Sequence, residues 1–124
     1  MNYEDDFVND DIVTLNVDGK EFKYKPATAE DENNWLNRCL SIDEKTKKTN
    51  TDWATYNRCK LENIVGVPYD QETINKFTGL TKEWNKLTKD EQWDVFRKLN
   101  TNVFNKLINA IRLHDEPDTE IKKN

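Results

Sequence analysis

The sequence predicts a mainly α-helical domain in which an N-terminal β-hairpin packs on a compact bundle of four to five helices. Two observations predict this fold. An Asp18-Gly19 pair lies in the middle of a stretch that alternates apolar and polar residues, which is typical of a hairpin with a two-residue turn. Apolar residues at helical spacing follow it, and capping residues precede each such stripe. We therefore expect one domain at 12–114, between a disordered acidic tail at 1–11 and a frayed charged tail at 115–124.

The turn also predicts the register of the hairpin. A two-residue turn at Asp18-Gly19 fixes which residues of the two strands lie opposite each other. The predicted pairs are Val17 with Lys20, Leu15 with Phe22, and Val13 with Tyr24. One face of the hairpin is then apolar and the other polar. An isolated hairpin is only marginally stable in water, so we expect its apolar face to pack on helices.

The first two helices are predicted between residues 28 and 66. Thr28 is the expected cap of the first, whose buried stripe is Trp35, Leu36, Cys39 and Leu40. The polar run at 43–51 is interpreted as a connecting loop. Thr51 or Asp52 would cap the second helix, whose apolar positions extend to Val65. Gly66 would close this helix, because glycine readily adopts the left-handed conformation of a C-cap.

Three further helices are expected towards the C-terminus. Asp70 would cap a short third helix that ends at Gly79, and 80–87 is either a loop or a single helical turn. Thr88 and Glu91 match a capping box, which opens a fourth helix. Thr101 would cap a fifth. The apolar residues assigned to these helices are Ile74, Phe77, Trp93, Phe96, Leu99, Val103, Phe104, Leu107, Ile108 and Ile111.

Charge and composition argue against several functions. The net charge is −5 with acidic and basic residues interspersed, so no basic face for nucleic acid is predicted. No apolar run reaches the length of a membrane span, and we expect a cytoplasmic protein. The only histidine, His114, lies far in sequence from Cys39 and Cys59, which argues against a metal site or a Cys–His pair. We therefore predict a protein without enzymatic activity and without a cofactor.

Three aromatic residues are candidates for binding a partner protein, because aromatic side chains dominate interface hot spots. Tyr69 follows a proline, Trp84 lies in the ambiguous segment, and Trp53 opens a helix. The alternative is that each fills a core that is short of aliphatic residues. If Trp84 binds a partner, its replacement by alanine should weaken binding and leave the thermal midpoint nearly unchanged.

Two segments carry a resemblance to a known family. The first is FKYKPATAEDENNWL at 22–36, and the second is YNRCKLENIVGVPYD at 56–70, in which a helix is followed by a break at Pro68. With this order of elements the chain resembles the small tail assembly chaperones of long-tailed bacteriophages. The similarity extends more weakly through residue 109.

The resemblance implies a function that the residues alone do not. Proteins of this family bind the tape measure protein in the host cytoplasm, help to recruit tail tube subunits, and are absent from the mature virion. The family has no catalytic residues to transfer to this chain. Two alternatives remain open at this point: a small acidic regulator or inhibitor of a host protein, and a structural component of the tail or the head–tail junction.

Overall fold

The computed structural model describes residue 7 and residues 11–116. Most of both predicted tails lies outside these residues, although Asp115 is the last residue of the final helix. The elements in chain order are β1 (Val13–Val17), β2 (Lys20–Tyr24), α1 (Ala29–Cys39), β3 (Leu40–Ile42), β4 (Thr49–Thr51), α2 (Trp53–Leu61), β5 (Ile64–Gly66), α3 (Gln71–Thr78), a 3-10 turn (Trp84–Lys86), α4 (Lys89–Phe96) and α5 (Thr101–Asp115).

The prediction of a mainly α-helical bundle is wrong, because the fold is mixed α/β. Helices contain 50% of the described residues and strands contain 18%. The strands form a three-stranded sheet with the order β1-β2-β5 and a separate two-stranded sheet of β3 and β4. The hairpin is thus part of a larger sheet, and α5 packs along β1. Three strands that the sequence does not predict account for the difference: β3 and β5, whose first residues are predicted to be helical, and β4, which is predicted to be part of a loop.

The hairpin itself has the predicted register. Val17 lies opposite Lys20, Leu15 opposite Phe22, and Val13 opposite Tyr24. Asp18 and Gly19 have φ angles of 53° and 81°, the positive values that this turn requires. The inward residues Leu15, Val17, Phe22 and Tyr24 are buried, and the outward residues Thr14, Asn16, Glu21 and Lys23 are exposed.

The second helix is shorter than predicted, because its last part is a strand. α2 ends at Leu61, and Ile64–Gly66 pairs antiparallel with β2. β-branched residues such as Ile64 suit a strand, and pairing with β2 outweighs the helical spacing of the apolar residues. Gly66 is therefore not a helix cap. A Cβ atom at Gly66 would lie 3.2 Å from the side chain of Lys23, so glycine allows the two strands to approach closely.

The polar run at 43–51 is only partly a loop. Its last three residues form β4, which pairs with β3 and places Leu40 opposite Thr51 and Ile42 opposite Thr49. The prediction that Leu40 belongs to the buried stripe of the first helix is wrong, because Leu40 starts β3 and is 43% exposed. Lys47 has a φ of 61° in the connecting turn, a conformation that sequence patterns rarely reveal for a lysine.

Most of the predicted caps are confirmed. The side chain of Thr28 accepts a hydrogen bond from Asp31 N at the start of α1, and Thr88 and Glu91 form the predicted capping box of α4. Gly79 closes α3 with a φ of 78°. The fifth cap is wrong by one residue, because the side chain of Asn100 accepts from Val103 N at 2.9 Å.

Two clusters of buried residues stabilise the fold. The larger lies between the three-stranded sheet and the C-terminal helices, and contains Leu15, Val17, Phe22, Tyr24, Leu61, Ile64, Phe96, Leu107 and Ile111. The smaller lies between α1 and α2 and contains Trp35, Cys39, Tyr56 and Cys59. Both cysteines are buried and free.

Candidate functional site

An apolar groove lies beside α3, where this helix approaches the end of α4, the start of α5 and the tip of the first hairpin. We call it the α3 groove. Its volume is about 280 Å³. The apolar part of its lining consists of Tyr69, Ile74, Phe77, Val95, Leu99 and Val103. A groove with such a lining can accept apolar side chains from another helix or strand.

Phe77 is the most exposed apolar residue of the α3 groove. Ile74, three residues earlier on α3, is buried and only 5% exposed, whereas Phe77 is 61% exposed. The ammonium group of Lys76 lies 5.5 Å from the centre of the Phe77 ring. The sequence predicts only that Ile74 and Phe77 are the apolar residues of the same short helix. Spacing alone does not distinguish an inward position from a neighbouring one that remains in water.

Tyr69, one of the three residues predicted to bind a partner, lines the α3 groove. Its ring meets the ring of Phe22 edge-on, with 5.9 Å between the centroids. Burial raises the pKa of the Tyr69 hydroxyl. The residue is half-buried, so one side of the ring supports the core while the remainder lines the groove.

The charged residues that line the α3 groove are both lysines, although the protein is acidic overall. Lys20 and Lys98 are the charged residues of its lining, whereas the net charge of the chain is −5. No carboxylate belongs to the lining among the residues that the structure describes. An apolar groove with lysines at its rim favours a ligand that carries acidic residues beside its apolar ones.

Trp84 has a structural role at the edge of the core. Its ring packs edge-on against Phe96 at 5.4 Å, and its Nε1 donates to the carbonyl of Ile64 at 3.4 Å. Its own carbonyl accepts a hydrogen bond from the side chain of Gln92 at 3.1 Å. Trp84 is half-buried and is not part of the α3 groove. Its replacement by alanine is therefore expected to lower stability, contrary to the expectation from the sequence.

Trp53 is exposed but lies elsewhere. It is 62% exposed at the start of α2, where its ring meets Tyr56 edge-on at 5.5 Å. Tyr56 belongs to the smaller core cluster, and neither residue lines the α3 groove. Of the three aromatic candidates, only Tyr69 thus lies in the groove.

The described residues that could act in catalysis or bind a metal do not line the α3 groove. Cys59 is fully buried, and burial raises the pKa of its thiol, which favours the unreactive protonated form. His114 packs edge-on against Tyr24, in a different cluster. Across residues 11–116, no three His, Cys, Asp or Glu side chains come together in a way that could hold a metal ion. None of the described helices is both long and apolar enough to cross a membrane.

Comparisons with protein-family models, with curated proteins and with solved structures gave no match for this chain. The resemblance to tail assembly chaperones therefore depends on the sequence itself, chiefly on the two segments at 22–36 and 56–70.

Proposed function

We propose that the protein is a non-enzymatic phage tail assembly chaperone, which binds the tape measure protein in the α3 groove and helps to recruit tail tube subunits. The resemblance suggests the partner, and the α3 groove suggests how the partner binds. The observation that carries the proposal is the exposed ring of Phe77 at the edge of an apolar groove. Contiguous apolar surface of this kind is typical of interaction sites.

The proposed ligand is an amphipathic helix of the tape measure protein. Such a helix presents apolar side chains at positions i, i+3, i+4 and i+7, which would enter the groove between Tyr69 and Phe77. Lys20 and Lys98 would pair with acidic residues that flank this stripe. The chaperone would thereby cover apolar surface of its ligand that otherwise leads to aggregation.

Phe77→Ala tests the proposal, with Trp53→Ala as a matched control. The two rings are 61% and 62% exposed, so their removal should have similarly small effects on folding. Loss of a hot-spot aromatic costs about 2 kcal/mol or more of binding energy, or roughly thirtyfold in affinity. We expect Phe77→Ala to weaken binding of a helical fragment of the tape measure protein by about this factor, measured by calorimetry, and Trp53→Ala to leave it unchanged.

Two results would contradict the proposal. The first is wild-type affinity in the Phe77→Ala protein. The second is an equal loss of affinity in the Phe77→Ala and Trp53→Ala proteins, which would indicate that exposed aromatic residues bind the fragment without a specific site. A Lys98→Glu variant adds an electrostatic test, because charge reversal at the rim should weaken binding of an acidic-flanked helix more strongly at low salt than at high salt.

A further inference from the structure

The two-stranded sheet of β3 and β4 has open edges on both sides within the described residues. It also exposes apolar side chains, because Leu40 is 43% exposed and Ile42 is 68% exposed. These two residues lie two positions apart on one strand and therefore share a face. Open strand edges with apolar neighbours are templates for pairing with another chain.

The hydrogen bonds of this sheet determine which backbone groups are available. Asp52 N donates to Cys39 O at 2.8 Å and Asp43 N donates to Lys48 O at 2.9 Å. Hydrogen-bonded pairs alternate with non-hydrogen-bonded pairs in an antiparallel ladder. The pair between Leu40 and Thr51 and the pair between Ile42 and Thr49 are thus the non-hydrogen-bonded ones, and their N–H and C=O groups point outward.

The outer edge of β4 is better suited to pairing than that of β3. On β3, the N–H of Leu40 is already bonded to the carbonyl of Leu36 at the end of α1. On β4, Thr49 and Thr51 direct both a donor and an acceptor away from the sheet. Thr49 and Asn50 are also exposed, and Thr51 is partly so.

We propose that a second copy of this chain pairs antiparallel with β4 about a two-fold axis at Asn50. Thr49 of one copy then lies opposite Thr51 of the other, and each of these residues donates and accepts one backbone hydrogen bond. The two small sheets join into a continuous sheet with the order β3-β4-β4-β3. Such an interface is isologous, since the same edge serves both copies.

Charge complementarity supports this register. With the axis at Asn50, Lys48 of each copy lies opposite Asp52 of the other, so that two opposite-charge pairs flank the paired strands. Hydrogen bonds from the Thr55 hydroxyl and from backbone N–H groups hold the pKa of the Asp52 carboxyl below its usual value. The next registers that preserve the hydrogen bonding are shifted by two residues. They place Lys48 opposite Asn50 or Ala54 and lose both charge pairs.

The apolar face of the joined sheet would be continuous across the axis. Residues directly opposite in a ladder share a face, so Leu40 and Ile42 lie on the same face as Thr51 and Thr49. Pairing of β4 brings this face of both copies side by side. The threonine methyl groups then bridge the leucine and isoleucine side chains of one copy and those of the other.

Sedimentation velocity of the full chain over a range of concentrations tests the proposal without any ligand. We expect a reversible monomer–dimer equilibrium. Thr49→Pro removes an outward N–H without touching the hydrogen bonds inside the sheet, and should abolish the dimer. Thr14→Pro is the matched control. The backbone N–H of Thr14 also points away from the neighbouring strand, because β1 is at the edge of the larger sheet and Thr14 and Lys23 form a non-hydrogen-bonded pair. This variant should dimerise like the wild type.

A charge swap tests the register. Lys48→Asp and Asp52→Lys each place like charges opposite each other in a homodimer, and should raise the dimer dissociation constant by about tenfold. An equimolar mixture of the two variants restores both opposite-charge pairs and should dimerise at least as well as the wild type. Lys45→Asp, which makes the same change in the turn outside the paired strands, should have no effect. Asp52→Lys also removes the side-chain cap of α2, so urea unfolding and circular dichroism check that each variant is folded under the conditions of sedimentation.

Three results would overturn the proposal. One is a chain that stays monomeric at all concentrations. Another is a dimer that Thr49→Pro leaves intact, and the third is a mixture of charge variants that does not re-associate. If the chain is monomeric and Thr49→Pro instead weakens binding of a tape measure fragment, this edge binds the ligand rather than a second copy.

Discussion

At the scale of single residues, a buried tyrosine joins the start of the domain to its end. Tyr24 on β2 is fully buried, and its hydroxyl donates to Oδ2 of Asp115 at 2.5 Å. A hydrogen bond to a charged acceptor is stronger than one between neutral groups. The sequence predicts that Tyr24 faces inward. Its partner lies 91 residues away, and no local pattern reveals such a pair.

Tyr24→Phe should lower the free energy of unfolding by about 1 kcal/mol or somewhat more, because the carboxylate of Asp115 loses its donor while packing is retained. Urea unfolding measures this change. Tyr69→Phe is the control, since no hydrogen bond of the Tyr69 hydroxyl occurs within the described residues, and it should change stability by much less. Equal effects in the two variants would contradict the assigned role of the Tyr24 hydroxyl.

Alkaline pH should destabilise the fold through its buried tyrosines. The pKa of Tyr24 is raised above its ordinary value of 10.0 by burial and by its bond to Asp115. The pKa of Tyr56 is raised by burial and by its hydrogen bond to Glu32. A raised pKa in the folded state means that the unfolded chain loses these protons first. The stabilising contribution is therefore complete below about pH 10 and decreases as the pH rises further.

Urea unfolding between about pH 8 and about pH 11 tests this prediction, together with tyrosinate absorbance at each pH. Lysines titrate in the same range, so the informative quantity is the difference between the wild type and Tyr24→Phe. We expect the loss of stability with pH to be smaller in the variant. A parallel decline in both proteins would show that Tyr24 ionises equally in the folded and unfolded states.

At the scale of elements, local signals predict helix starts and turns better than strands. The Asp18-Gly19 turn and the caps at Thr28, Asp70 and Thr88 act over a few residues, and the sequence reveals each of them. β5 depends on a partner strand some 40 residues earlier, because Ile64 pairs with Tyr24. Its apolar residues also fit a helical stripe, so only the tertiary contact decides between the two structures.

Gly79→Ala should destabilise the domain by about 1 kcal/mol through the backbone alone. Gly79 has a φ of 78°, and an added Cβ would meet no atom within 4 Å. The cost is thus that of a left-handed conformation for an L-residue, not of a steric clash with a neighbour. Gly79→Asn should cost clearly less, because asparagine tolerates this region. Thermal unfolding of the two variants provides the measurement. An equal loss of stability in both would contradict the conformational explanation.

At the scale of the whole molecule, the candidate site could be predicted only in part. The sequence predicts partner binding by Tyr69, Trp84 and Trp53, and only Tyr69 lines the α3 groove. Phe77 was not singled out, because its exposure depends on how α3 packs against the end of α4. Trp84 illustrates the opposite case: its segment has no helical stripe, yet the ring packs against Phe96.

Trp84→Ala should lower the free energy of unfolding by about 2 kcal/mol or more, since it removes a large half-buried ring from the edge of the core. Phe77→Ala should leave stability within about 0.5 kcal/mol of the wild type, because its ring is mostly in water. Chemical denaturation of both variants compares the two roles. A Trp84→Ala protein as stable as the wild type would return Trp84 to the set of partner-binding candidates.

The packing of α5 along β1 also constrains when the domain can fold during synthesis. β1 is synthesised well before α5, which supplies Leu107 and Ile111 to the core that covers the apolar face of β1. Contacts so distant in sequence form late, because a long loop must close before they are gained. The side chains of Leu15 and Val17 therefore remain exposed to solvent until α5 can pack against β1. A chain truncated before Thr101 should be sensitive to protease, and a released chain that includes α5 should be resistant.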